Sequence, residues 1–466
     1  MVHFIGRTAL TQLQSLLQGF LQDGSVPFSS VLTLQDIVDL ISQTCVETYD
    51  RIFTPVVTLC TFLRQIHSDD PSCRAAVARL NATRVAQGLA PSSPLTGGYC
   101  KARQRLPETL LHPLVPLSGQ RLQQQVPTAW HWHGRAVKIV DGSGVSMPDT
   151  EANQQDYPQP GSQAPGVGFP VARLVVVVSL ACGAVLAAAL GRLQGKQTSE
   201  LMLFHSLHAY LERDDVVLAD RFYCSYWEVA LLRGRGIDVV MRLHQRRAVN
   251  FQGGRRLGQE DHVVAWPKPK RPAWMDEATY AVLPATVEMR ELRVRVLQRG
   301  FRTRVVLVAT TLLDAKVFTK EALAGLYRAR WHAELDLRSI KQTMQMDVLR
   351  CKTPAMVRKE IWGHLLVYNL IRAAMAQAAL GHGVVPRQVS LQGARQTLAA
   401  FHSQLEPLSS TRREGIAQIV LSAIAKHRVG TRPDRSEPRA VKRRPKPYPL
   451  LRVPRQQARQ QLVEAA

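Results

Sequence analysis

The residues of this 466-residue chain whose types and spacing could do chemistry are three acids and the cations around one of them. Asp141 closes the apolar run 136–140 and precedes Gly142, Ser143 and Gly144, while Asp220 closes a second run, 215–219. Hydrolysis of a phosphodiester suits two Mg²⁺ ions roughly 3.5–4 Å apart, held by two or three converging carboxylates. Acids at strand ends that share one sheet edge, with a third on a helix crossing that edge, would meet the need. Taken singly, each aspartate reads first as a structural residue: Asp before Gly is usually a turn former, and Asp220 before Arg-Phe-Tyr could simply cap a helix.

The third acid comes from a long helical pattern. Tyr327, Arg330, Glu334 and Lys341 are spaced by three, four and seven residues. At about 100° per residue they share an arc of roughly 60°, whereas Asp336 falls on the opposite side. One face therefore offers an acid flanked by a phenol and two cations, as a metal ligand beside phosphates requires. An exposed helix with an Arg330–Glu334 pair one turn apart has the same pattern, and periodicity alone leaves both readings open.

The elements that must position these groups follow from patterning. Residues 1–130 read as short helices: Ser30–Ile66 has helical apolar spacing broken by Pro55, and Asp70 with Pro71 looks like the start of another helix. Lys101, Arg103 and Arg105, beside Tyr99, fit either a solvated helix face or a DNA-backbone contact. From 136 to 243 strands and helices alternate, as in an α/β domain with a mixed sheet. The apolar stretch 174–190 reads as two buried strands turning at Ala181–Gly183, not as a membrane span. Residues 244–308 alternate in twos, with Leu292, Val294 and Val296 on one side and Arg293 and Arg295 on the other. Gln298–Gly300 is a plausible hairpin turn there. Helices resume at about Thr319 to Met344 and Pro354 to Ala379, and a basic, proline-rich tail follows His427.

Charge narrows the partners. With 60 Lys and Arg against 36 acids the formal charge is +24, so polyanions are expected, nucleic acid first. Seven cysteines without a C-x-x-C pair argue against a disulfide framework or a zinc ribbon and fit a reducing cytoplasm. The first twenty residues lack the features of a signal peptide.

Tyr327-x2-Arg330-x3-Glu334-x6-Lys341 resembles, without a gap, the signature of the IS-four family of bacterial insertion-sequence transposases. Residues 141–150 (DGSGVSMPDT) and 219–223 (ADRFY) are similar to that family's two aspartate regions. YCKARQRLP (99–107) resembles its N-terminal domain and RSEPRAVKRRPKPYPLL (435–451) its basic terminus. The resemblance implies an RNase H-like α/β catalytic domain with an Asp-Asp-Glu triad, split by a β-rich insertion before the glutamate helix. The implied divisions are a helical DNA-binding domain (1–130), the first part of the catalytic domain (131–243), the insertion (244–315), catalytic and C-terminal helices (316–426) and the tail (427–466).

The resemblance further implies that Asp141 bridges two Mg²⁺ ions, Mn²⁺ being a substitute, with Asp220 and Glu334 holding one each. Tyr327, Arg330 and Lys341 would contact terminal phosphates, and Lys101 and Arg103 the DNA backbone. The implied activity is cut-and-paste transposition through a hairpin, on the terminal inverted repeats and target DNA, by a homodimer in the bacterial cytoplasm at the nucleoid and with no membrane partner. A decayed DNA-binding copy and an RNase H-like nuclease without strand transfer are the competing readings. Trp266 and Trp274, among Lys268, Lys270 and Arg271, fit either stacking on a flipped base or core packing. His131-x-His133 and His205-x2-His208 have metal-like spacing but no cysteine or acidic partner in a known pattern, and read as surface or core histidines.

The charge is uneven. Residues 427–466 carry eleven Lys and Arg against three acids, and residues 243–308 thirteen against six. Deleting the tail should lower the slope of log binding constant against log salt by about 0.9 for each phosphate that the tail neutralises. An unchanged slope would make the tail a solvated appendage.

Overall fold

The computed structural model describes residues 30–45, 52–195, 198–295, 305–405, 410–430 and 449–464. Helices α1 (Leu34–Thr44), α2 (Pro55–His67), α3 (Cys73–Ala86), α4 (Gly97–Arg105) and α5 (Glu108–Gln124) come first. Pro55, expected to break a helix, instead occupies the first position of α2 behind a Thr54 cap, where its missing N–H costs nothing. Asp70 does not cap α3: Ser72 does, while the Asp70 carboxylate accepts from the Ser72 N–H at 2.9 Å.

Next come β1 (Val137–Ser146), α6 (Glu151–Asp156), β2 (Val171–Ser179), β3 (Val185–Arg192), α7 (Glu200–Leu207), β4 (Val216–Ala219), α8 (Tyr226–Gly234) and β5 (Asp238–Arg242). The stretch 174–190 is β2 and β3 as expected, turning through Gly183 at φ +78°, and no described helix is long and apolar enough to cross a membrane. β6 (Arg255–Gly258), β7 (Asp261–Pro267), α9 (Glu277–Val282), β8 (Thr286–Arg295) and β9 (Val305–Thr310) follow. The expected turn at 298–300 lies outside the described residues.

The nine strands of the described residues form one sheet in the order β3-β2-β1-β4-β5-β9-β8-β7-β6. β1, β4 and β5 are parallel, and the other pairings are antiparallel. The strands of 255–310 therefore continue the α/β sheet through the β5–β9 ladder instead of standing apart from it. Sequence patterning missed this because alternation reports which face is buried, not which strand is the neighbour.

Both faces of the central strands are covered, so β4 and β5 read as unbroken apolar runs. Val217, Ala219, Val239 and Met241 face the large core shared with α5, α7, α8 and α12 (Pro354–Gly381). Val137, Ile139, Val216 and Leu218 face a second core with Leu323 and Leu326 of α10 (Lys320–Ala329) and Ala333 of α11 (Trp331–Arg338). A π-helical turn, Ser339–Thr343, ends α11. The helix expected over 319–344 is thus broken at Arg330 and closed by a wider turn. α13 (Leu391–Leu405), α14 (Ser410–Lys426) and α15 (Arg455–Glu464) complete the chain, so the expected extended tail holds at least one helix.

α12 is seated by polar groups inside the core. The buried Asn369 amide donates to Val115 O (3.1 Å), Ser118 Oγ (3.1 Å) and Val185 O (2.8 Å), and its oxygen accepts from Val185 N (2.8 Å). α5 meets β3 so closely that a Cβ on Gly119 would collide with Val185 O. Asp336 points away from Glu334, as expected, and is buried against Tyr368 Oη (2.9 Å), Arg372 and Arg387 (2.6 Å). Removing its charge leaves the buried Arg372 guanidinium, and the half-buried Arg387 beside it, without a counter-charge. Asp336→Ala should therefore destabilise the protein by about 3–5 kcal/mol in urea unfolding; a loss under about 1 kcal/mol would show that the network is not coupled to α11.

Candidate active site

The parallel ladder of β1 with β4 sets the first two acids. Val137 pairs with Val216, Lys138 with Val217 and Ile139 with Leu218. Carried two residues further, the register brings Asp141 abreast of Asp220. Alternation puts both carboxylates on the face of Ile139 and Leu218, the face covered by α10 and α11. Asp141 was expected to end its strand. It lies inside β1 instead, opposite Val176 of β2, because the antiparallel β1–β2 ladder runs on to Ser146 after the parallel one stops. Asp220 follows the last residue of β4 and accepts from Phe222 N at 2.7 Å.

Glu334 is placed by Ala333, which is sunk in the core beneath β1 and β4. Burial pushes the Asp141 carboxyl up to about 6; Arg330 and the Gly142 N–H pull against this, while the charges of Glu334 and Asp220 add to it. The three acids therefore converge closely enough to feel one another. Arg330, mostly buried at the break between α10 and α11, reaches Glu334 at 2.5 Å and acts on Asp141 as well. Burial holds the Tyr327 hydroxyl up at about 12, with Arg330 and Arg242 opposing and Asp220 assisting. Lys341, in the π turn, donates to Gly144 O (2.8 Å) and Ser143 Oγ (3.2 Å), on the stretch of β1 just past Asp141.

Two further residues border the cluster that spacing did not suggest. The Glu200 carboxylate, in the first turn of α7, fills the space beside Gly142: a Cβ there would lie 2.7 Å from Glu200 Cδ. Burial raises its pKa, and Asp220 adds to the rise against Arg173. The buried Tyr223 hydroxyl has no hydrogen-bond partner among the described residues, and burial followed by the charges of Glu200, Asp141 and Asp220 holds its proton on. The one sequence signal was a glycine directly after the strand acid.

Other expected contacts fall elsewhere. Lys101 is exposed on α4. Arg103 is buried, donating to Gln65 Oε1 (3.2 Å) and facing Cys351 Sγ (3.2 Å), with its guanidinium 4.5 Å above the Phe62 ring. This corrects the expectation that it contacts the DNA backbone, since its alternate neighbours on α4 are the ones at the surface. Trp266 is 1% exposed, donates to Glu291 Oε1 (2.8 Å) and lies under Arg247, so it packs the insertion and cannot stack on an extruded base. Trp274 is 37% exposed and leans on His205.

Three converging carboxylates, with Arg330 paired to one and acting on a second, offer hard oxygen donors, which suits a divalent ion. The fold and site define an RNase H-like catalytic domain of the Asp-Asp-Glu class. Residues 132–370 match the family model described as Transposase DDE domain, and the chain belongs to that family of DNA-cleaving, strand-transferring enzymes. It is 28% identical over 372 residues, 78% of each chain, to the transposase InsG for insertion sequence element IS4 of Escherichia coli (strain K12), and it is a transposase of the IS4 type. Among solved structures, the piggyBac transposase synaptic complex with hairpin DNA aligns over 88% of this chain and 85% of that one, at 9% identity and TM-score 0.43.

A raised carboxyl pKa favours the folded state at low pH. That increment is fully present below the ordinary aspartate range and is lost as pH climbs through about 6. In metal-free protein the urea midpoint of wild type relative to Asp141→Asn should therefore fall between about pH 4 and about pH 7. Mn²⁺ affinity, read by electron paramagnetic resonance, should weaken about tenfold per pH unit below that point. A pH-independent difference would place Asp141 outside the acid cluster.

Proposed function

We propose that the protein carries out cut-and-paste transposition of an insertion sequence, cleaving at the transposon ends and joining the freed 3′-hydroxyl groups to target DNA by way of an end hairpin. The observation that carries this reading is the register that sets Asp141 beside Asp220 beneath the helix of Glu334. These three carboxylates would hold two Mg²⁺ ions, with Mn²⁺ as a substitute. When bound, such ions activate an attacking oxygen and neutralise the leaving one.

The chain's own groups then have separate tasks. Asp141 must give up the proton that burial holds on it before it can act as a ligand. Arg330, now on Glu334, has the planar fork for bidentate phosphate contact. Lys341, at the far end of β1, offers a compact charge to the next phosphate. Tyr327 stays neutral beside Arg330 and can donate its hydroxyl. Trp274 is the exposed indole of the pair considered and the one able to stack on a flipped base. Two copies of the chain, one on each terminal inverted repeat, would hold the ends together.

Glu334→Gln keeps the shape of the side chain and removes its charge. With Mg²⁺ and the cognate transposon end, strand cleavage should drop on the order of 10³-fold or more while end binding persists. Undiminished cleavage by this variant would overturn the assignment, and cleavage by wild type without any joined product would reduce it to a nuclease.

A further inference from the structure

On the face of the sheet covered by α7 and α8, next to the loop that follows Asp220, three metal-ligating side chains come together. His205 lies on α7 and His208 in the 3-10 turn that follows it, so a three-residue spacing presents both imidazoles to the same side, with ring centroids 5.2 Å apart. Glu228, from the first turn of α8, stands between them. Its Oε2 is 2.7 Å from His205 Nε2 and its Oε1 is 2.7 Å from His208 Nε2. The missing acidic partner of the His-x2-His pair is thus supplied from a different helix, twenty residues on from His208, which is why spacing could not show it.

The charge balance of this cluster is unusual. The Glu228 side chain is 0% exposed, and the imidazoles keep only 15% and 12% of their surface. Among the described residues its ion-pair partners are these two histidines and no Lys or Arg. The buried carboxylate therefore depends on two imidazole contacts alone for its compensation, an arrangement that a bound cation would strengthen.

We propose that His205, His208 and Glu228 form a binding site for a divalent transition ion of the zinc type. Two imidazole nitrogens and one carboxylate oxygen are the donor set such an ion prefers, and they disfavour Mg²⁺ and Ca²⁺, which take oxygen ligands. Three protein donors leave a fourth position for water. Binding needs each neutral ring to carry its proton on Nδ1, so that Nε2 turns a lone pair to the ion in place of the N–H it now gives Glu228. No group is oxidised and no bond of the protein is broken. The ion would pin α7 to α8. It would also fix the wall on which the insertion rests, since Trp274 packs on His205 with ring centroids 4.8 Å apart and Tyr280 on Trp227 of α8 at 5.9 Å. Phe204, next to His205, contacts both His208 and Tyr223, so the site adjoins the loop that follows Asp220. The proposal does not depend on the role given to the Asp-Asp-Glu cluster.

The test is a titration of the full-length, chelator-treated protein with Co²⁺ alone. The expected result is one equivalent per chain of an ion with the visible d–d absorption of tetrahedral, nitrogen-ligated cobalt, displaced by Zn²⁺. The signal should survive in Asp141→Asn, which disables the acid cluster, and vanish in Glu228→Gln and His205→Ala. His208→Gln retains a hydrogen-bond donor toward Glu228 and guards against a folding defect. Zn²⁺ should raise the melting midpoint of wild type and of Asp141→Asn but not of His208→Gln. Absence of the visible band in wild type, its persistence in both Glu228→Gln and His205→Ala, or its loss in Asp141→Asn would each overturn the proposal.

Discussion

Three residue pairs, Val137–Ile139 against Val216–Leu218, fix where the acids of the candidate site can be. The ladder is parallel, so both strands deliver their following residues to one edge of the sheet. Its register is pinned because every residue in it is buried on one face or the other. A slip of one position would turn Val216 and Leu218 out of the core they share with α10 and α11 and put Val217 and Ala219 in their place. The same slip would carry Asp220 to the opposite face from Glu334. Packing of ordinary aliphatic side chains therefore enforces the geometry of the acids, which have no cohesive reason to gather.

Their mutual repulsion is moderated by one guanidinium. Arg330 touches Glu334 and acts on Asp141 from the junction where α10 gives way to α11. Had the helix run straight on, Arg330 and Glu334 would still share a face. The break, together with the π turn that holds Lys341 against Gly144, shapes how the cationic groups lie along β1. Arg330 thus supplies one positive charge to a cluster of three acids.

Much of this was legible in the residues. The helix face of Tyr327, Arg330 and Glu334, the exclusion of Asp336 from it, the β2–β3 turn at Gly183 and the two strand acids all follow from periodicity and turn chemistry. What periodicity could not carry was partnership. Alternation at 286–295 marks a buried face but does not say that β9 will pair with β5. The sequence around Arg103 shows a charge run, and only the arrival of Gln65 and Cys351 from distant segments makes it an interior residue. Trp266 and Trp274 are indistinguishable in composition, and only the pairing of β7 with β8 puts Trp266 inside, where Glu291 accepts its N–H. Glu200 and Glu228 were invisible for the same reason, each being defined by neighbours far along the chain.

The continuity of the sheet has a structural price for any rearrangement of this chain. The segment that begins after β5 ends beside it as β9, so the exit and the re-entry are stitched together by backbone hydrogen bonds. The segment is consequently a seal as well as an addition. Without it, β5 would present an open edge to solvent and to other chains, a template for strand pairing that α/β domains normally cover. Excising the insertion would thus convert an interior strand into an adhesive one.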